Sequence, residues 1–306
     1  MQTHILKSIA TATLLTVAAR TDLSAAGPDR AKIAAALPAK AFATPKQARK
    51  ILVFSVTRGF HHDSIPWGIA AIEEMGKATG AFTVVASDDL ANFEKDKLAG
   101  FDVVVFNNTT NNVFLPDKNA FAALDEAGKA AATALDLRLR QNLLEFIRSG
   151  KGFVGIHAAT DTFYDWAEYG SMIGAYFDGH PWTAGHDVSI MVEKPDHPIN
   201  QGLRDITHLE FKEECYQFRA PYKAGRQDVL LRIDTGRTNM NVGGIKRADK
   251  DFPLSWVRGF GKGRVYYSAL GHNKHIYENG KVLAHYLAGI QWAAGDLAAP
   301  PPPMDP

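Results

Sequence analysis

One cysteine stands in 306 residues, Cys215. It excludes an intrachain disulfide and any cysteine-based zinc cluster. Neither sign of charge dominates: 34 Lys and Arg face 33 Asp and Glu, for a net charge of +1. There is thus no basic excess to attract nucleic acid and no acidic tail. No apolar run reaches the roughly 20 residues that a membrane span needs. GxxxxGK[ST] is missing, and no GxGxxG follows the first strand, so no nucleotide cofactor is indicated. HExxH is missing too, so metal binding rests on His and Glu side chains that only the fold can bring together. What remains is ordinary globular composition, 46% hydrophobic and 22% charged, at a length that suits one large domain or two small ones.

The N-terminus reads as a secretory signal over residues 1–26. Lys7 precedes the short apolar run from Ile9 to Ala19, and Ser24-Ala25-Ala26 offers a cut site. The alternative for the same run is a buried N-terminal helix. On the first reading the protein is exported, periplasmic or secreted. Residues 27–49, rich in Ala, Pro and Lys without a period, read as a tether. Residues 297–306 read as a tail, since Pro300 to Pro303 can enter neither a helix nor a central strand. The folded body is therefore 50–296.

That body opens with the strand Ile51 to Val56, a continuous β-branched run of the kind buried on both faces of a parallel sheet. Ile65 to Thr79 predicts a helix with Pro66 in its first turn, where a missing amide costs nothing. Strands follow at 82–86 and 101–106. Residues 117–136 read as a mobile insertion with a helical turn, and 138–148 as a helix. A strand at 153–156 ends on His157. The alternation argues a doubly wound α/β sheet. Strands at 188–192, 229–233, 254–257 and 265–268 and a closing helix at 279–293 predict late antiparallel additions to one domain.

Ligands in open α/β sheets bind beyond the carboxyl ends of the strands. Three such ends carry histidine: Arg58 to Ser64 with His61 and His62, Gly155 to Asp161 with His157, and Ser268 to Asn273 with His272. A shared edge would gather them; the alternative is that each imidazole bonds its own turn. Gly155-Ile156-His157-Ala158-Ala159 has the layout of a nucleophile elbow, with an imidazole presented where Ser or Cys would stand. Around Glu213-Glu214-Cys215-Tyr216, alternation puts Glu214 and Tyr216 on one face and turns Cys215 away. A carboxylate beside an aromatic ring suits a sugar; the competing reading is a solvated acidic edge strand. His180, before Pro181, projects toward the same cleft.

Taken in order, Gly59-Phe60-His61-His62-Asp63-Ser64-Ile65, Gly152 to Asp161, Phe177 with His180-Pro181, Asp196-His197-Pro198, Glu213-Glu214-Cys215-Tyr216 and Ala269-Leu270-Gly271-His272 resemble the ThuA-like (trehalose utilisation) family over about 51–295. The resemblance implies a flavodoxin-like sheet similar to class I glutamine amidotransferases. In that superfamily the elbow holds cysteine; here it holds His157, with His272 matching the late histidine, so glutaminase and cysteine-peptidase readings fall. Cys215 stands where the family has tryptophan, and His61 where it often has arginine, which makes His62 the better functional candidate. The family implies sugar metabolism, linked to trehalose and keto-sugar derivatives.

The resulting expectation is acid–base chemistry on a small-molecule keto-sugar or glycoside. His157 and Glu214 are base candidates. His62 and His272 are electrophile candidates, and His62, His157 and His272 are metal-ligand candidates. Asp161, His180 and Tyr216 are expected to bind substrate. A divalent metal, zinc first, is the one cofactor the residues suggest. No nucleic acid and no membrane span are expected, and no oligomeric state is assigned. The rival readings are a non-catalytic carbohydrate-binding protein and a metal-dependent amide or ester hydrolase.

Overall fold

The computed structural model describes residues 27–300. Residues 1–26, read above as a secretory signal, and residues 301–306 lie outside the described residues. A short helix, α1 (Arg30–Ala36), precedes the first strand, β1 (Lys50–Phe54). Then come α2 (Ile65–Thr79), β2 (Thr83–Ala86), α3 (Lys95–Leu98), β3 (Val103–Asn107), α4 (Lys118–Ala122), α5 (Glu126–Arg148) and β4 (Gly152–Ile156). The second half holds α6 (Ala167–Ile173), β5 (Tyr176–Phe177), β6 (Asp187–Val192), β7 (His208–Lys212), β8 (Phe218–Arg219), β9 (Asp228–Ile233), β10 (Pro253–Phe260), β11 (Gly263–Ser268) and α7 (Gly280–Ala293).

One nine-stranded sheet runs in the order β2-β1-β3-β4-β11-β10-β9-β6-β7. Its first five strands are parallel, and the rest alternate in direction. This is a doubly wound, flavodoxin-like mixed sheet with late antiparallel additions. Strands β3 and β4 are buried along their whole length, which is why both read as continuous apolar runs. The chain steps one way from β1 to β2 and the other way from β2 to β3 and β4. Right-handed crossovers therefore put α2 on one face and α3 and α5 on the other.

Register sets the site. Phe54 pairs with Phe106, Asn107 with Ile156, and Ile156 with Ser268. The loops after β1, β3, β4 and β11 thus leave the sheet at nearly one level. The alternation from β11 to β7 returns β7 to the direction of the parallel set, so Glu213 and Glu214, just past its end, emerge at the same edge. A short ribbon, β5 with β8, completes the chain's path near that edge.

Two expectations are corrected. Residues 27–49 are no free tether. Ile33 of α1 is fully buried, Arg30 pairs with Glu73 and Glu74 of α2, and Gln291 of α7 receives the Phe42 amide at 2.8 Å. Arg49 is clasped by Asp296 and Asp102. Aperiodic composition concealed this because one buried isoleucine and a few ion pairs make no pattern. Residues 117–136 are not a mobile insertion either. The alanine-rich stretch after Asp125, which caps the Gly128 amide, is the first half of α5, as alanine's helix propensity favours. The short strands β5 and β8 are additions to the expected set, while β7 stands at the sheet's edge and takes up the start of the segment whose competing reading was an acidic edge strand. The tail is docked at its start, where Leu297 is buried and Ala299 O accepts Trp292 Nε1 at 3.1 Å. Among the described residues no helix is long and apolar enough to cross a membrane.

Ile33→Asp should release α1, because a carboxylate cannot enter that apolar seat unpaired. Limited proteolysis should then cut within 30–49 while the sheet stays folded; an unchanged digestion pattern would refute the docking. His285 of α7 tests a different feature. It is fully buried, its Nε2 lies 2.9 Å from Ser255 Oγ, and burial pushes its imidazole down to about 3. The folded state binds this proton more weakly than the unfolded state. Its stabilising contribution is therefore whole above about pH 6.5 and is lost as pH falls toward 3, at about 1.4 kcal/mol per unit. In urea titrations between pH 7 and pH 5, His285→Leu should flatten the decline by that slope.

Candidate active site

The elbow is real in its geometry. His157 follows β4 with a φ of +48°, a left-handed conformation that costs a non-glycine residue about 1–3 kcal/mol. Gly155 below it leaves little room for a Cβ, which would lie 3.0 Å from Ile173 and 3.1 Å from Ala159 and Tyr267. Tyr267 donates its hydroxyl to the His157 carbonyl at 2.7 Å. The imidazole itself is fully buried. Its Nδ1 lies 2.6 Å from Ala269 O. A carbonyl only accepts, so Nδ1 carries the proton and Nε2 keeps its lone pair. Tyr216 donates its hydroxyl to that Nε2 at 2.7 Å.

His62 and His272 close around it. Ring centroids are 4.8 Å apart for His62 and His157, 5.2 Å for His62 and His272, and 5.4 Å for His157 and His272. The shared edge expected for the three loops is therefore present. Glu214 Oε1 lies 3.5 Å from His157 Nε2 and 3.2 Å from His272 Nδ1. His61 turns away, with its Nδ1 3.1 Å from Thr57 Oγ1.

Burial, reinforced by the neighbouring imidazoles, pushes His62 down to about 2 and also lowers His157, so both are neutral. For Glu214, burial alone would raise the carboxyl, but the facing histidines outweigh it and hold it well below the carboxylate range. Burial opposes protonation of His272 as well; the Glu214 carboxylate overcomes it and raises that imidazole.

Among the described residues, one donor atom each from His62, His157, Glu214 and His272 lie within 4.8 Å of one another. His62 Nδ1 is buried without a hydrogen-bond partner, and His272 Nδ1 faces the Glu214 carboxylate. Imidazole nitrogens converging on an ionised carboxylate fit a divalent cation, and the tautomer lock on His157 is the usual outer support of a ligating histidine.

The remaining expected residues are placed differently. Tyr216, expected to face a sugar, is 3% exposed and sits beneath the imidazoles. Asp161 accepts the Tyr164 hydroxyl at 2.5 Å and is not one of the converging donors. His180 is half-exposed at the rim, with Nδ1 3.6 Å from Glu214 Oε2. Cys215 is buried and its thiol is pushed well up, which disfavours a thiolate.

Sequence reasoning passed over Glu213. It is fully buried, and its carboxylate accepts the amides of Gly271, His272 and Asn273 at 2.8, 2.7 and 3.0 Å. Burial pushes the carboxyl up to about 7 against the pull of those amides. Gly271 has a φ of +129° and no space for a Cβ, 2.6 Å from Tyr277 Oη, and its carbonyl accepts Ser64 Oγ at 2.7 Å. Glu213 thereby shapes the loop that presents His272. The only hint in the sequence was the acidic doublet. Glu213→Gln cannot satisfy all three amides and should cost about 1–3 kcal/mol of stability. It should also weaken zinc binding by about 10–100-fold through a displaced His272; calorimetric zinc titration beside urea unfolding checks both.

The family model for ThuA, described as trehalose utilisation, matches residues 50–293. No curated protein sequence matches the chain. Among solved structures, a ThuA-like protein of Bacteroides uniformis superposes with a TM-score of 0.60 at 19% identity, covering 85% of this chain and 96% of its own. A ThuA-like protein of Parabacteroides merdae gives 0.55 at 19%, over 83% and 93%. A cytoplasmic protein of Salmonella typhimurium gives 0.54 at 13%, over 80% and 98%. These likenesses bear on the fold. Because the matched span contains the whole sheet and all four converging side chains, the chain belongs to the ThuA family.

Proposed function

We propose that this protein is a carbohydrate-acting enzyme that performs metal-assisted acid–base chemistry on a keto-sugar or its glycoside. The observation that carries the proposal is the convergence of three imidazoles and one carboxylate at the carboxyl edge of the sheet. The family's description supplies the carbohydrate class. A pocket that served only to hold a sugar would have no need for a buried, unpartnered imidazole nitrogen such as His62 Nδ1.

A keto group acidifies the adjacent C–H. In the cleavage reaction a base takes that proton, and the electron pair moves onto the keto oxygen as an enolate. Its return expels the glycosidic oxygen from the next carbon, and that oxygen leaves as an alcohol after taking up a proton. In the isomerisation the enolate is instead reprotonated. Glu214, held ionised, and neutral His157 are in the forms that accept a proton. His272, held toward its protonated form by Glu214, is in the form that donates one. A bound divalent ion, zinc first for this nitrogen-rich set, would stabilise negative charge on the keto oxygen; His62, His157 and His272 would hold it, and with their ligating nitrogens engaged Glu214 would be the base. Trehalose-related substrates and the mechanical kinship with class I glutamine amidotransferases belong to this proposal. So does export, which rests on the pattern of Lys7, the apolar run and Ser24-Ala25-Ala26.

A panel of 3-keto glycosides, assayed with and without chelator, tests it. His157→Asn keeps the polar shape but removes the titrating nitrogen. Turnover should fall by about 10²-fold or more, with metal content reduced and melting little changed. Unchanged turnover would remove His157 from the chemistry. Sugar binding without any turnover by the native protein would favour the carbohydrate-binding reading.

A further inference from the structure

In front of the imidazoles lies an open cleft of about 610 Å³, bordered by Phe60, Asp63, Trp67, His272, Lys274 and Glu278. The volume lies within the range of small-ligand sites, about 300–1,000 Å³. Phe60 is the anomaly. It is 63% exposed, and among the described residues only Leu137, on α5, is comparably exposed for a large apolar side chain. Scattered exposed apolar residues need no explanation, but this one stands at the mouth of the site. Its ring is edge-on to His62 at 4.7 Å and nearly parallel to His272, with 17° between planes.

The backbone beneath the ring is anchored. Thr110 Oγ1 accepts the Gly59 amide at 3.0 Å and donates to the Phe60 carbonyl at 3.1 Å. A Cβ on Gly59 would come within 2.4 Å of Asn111 Nδ2, so the loop is pressed against the turn after β3. The backbone is thus held while the phenyl face stays open, an arrangement that lowers the cost of ordering on binding. Beside it stands a charged pair: Lys274 Nζ lies 3.9 Å from Asp63 Oδ2 and 4.7 Å from the centre of the Trp67 ring.

A pyranose offers a C–H face on one side and hydroxyls around its rim. An aromatic face bordered by a carboxylate and an ammonium matches both, and buried Tyr216 cannot serve as that face. We propose that Phe60 is the platform on which a pyranose ring stacks, with Asp63 and Lys274 binding its hydroxyls, and that this subsite determines which sugars reach His62 and His272. The inference rests on the carbohydrate reading of the site. Phe60 binds and orients; it takes no part in proton transfer.

The test compares Phe60→Ala, Phe60→Trp and, as a control away from the cleft, Leu137→Ala. On a keto-glycoside turned over by the native protein, Phe60→Ala should raise KM by about tenfold with kcat within a few-fold. Phe60→Trp should restore KM, and Leu137→Ala should change neither. Zinc affinity should be the same in all three, which separates a lost platform from a disturbed cluster. An unchanged KM in Phe60→Ala overturns the platform and leaves the catalytic reading standing. If the native protein turns over none of the glycosides, the fluorescence of Phe60→Trp titrated with trehalose and methyl glucosides decides. A saturable shift supports the platform while the catalytic reading falls, and no shift overturns the platform too.

Discussion

The hydrogen bond from His157 Nδ1 to the Ala269 carbonyl is the contact on which the site depends. It joins the ends of two adjacent parallel strands, β4 and β11, fixes the tautomer of the most buried imidazole of the cluster, and leaves Nε2 facing Tyr216 and Glu214. The unfavourable φ of His157 is what puts the ring within reach of that carbonyl. An ordinary β-to-helix turn would send the side chain elsewhere.

Around this contact the site is assembled from loops that would not otherwise meet. Ser64, ahead of α2, bonds the Gly271 carbonyl, and Asn108, after β3, donates to Tyr277 Oη at 3.1 Å. Glu213, beyond the last strand of the sheet, holds three amides of the loop after β11. Burying neutral imidazoles and a carboxylate together is expensive. The arrangement persists because backbone groups satisfy Glu213 and one nitrogen of His157, while Glu214 and His272 stabilise each other's charged forms. The nitrogen left over, His62 Nδ1, is the part of the cluster that a ligand would complete.

The segment ahead of the family domain bears on the site as well. Helix α1 lies N-terminal to the matched span and packs on α2. Through Lys32 it also reaches Glu278 at 3.2 Å, in the turn that follows the His272 loop. These two elements flank the cleft. The docked segment therefore braces both walls of the mouth in which Phe60 stands.

The sequence by itself determined where the central strands and α2 lie, because strands buried on both faces must be continuous apolar runs and a proline tolerates only the first turn of a helix. It also determined that three histidines stand at strand ends, which a parallel sheet turns into proximity. The same local evidence located Glu214 and Tyr216 as a pair. Only the tertiary structure decided what those side chains face. Tyr216 is covered because it packs against His157 and Phe177, and Phe60 stays open while its loop is anchored through backbone atoms. Glu213 binds a loop nearly sixty residues further along the chain, a relation that no local pattern encodes. The docking of residues 27–49 rests on isolated long-range contacts, and strand β7 reaches the active edge only through successive reversals of direction. Periodicity reports how a segment meets the core; it carries no information about which distant group its polar atoms will find.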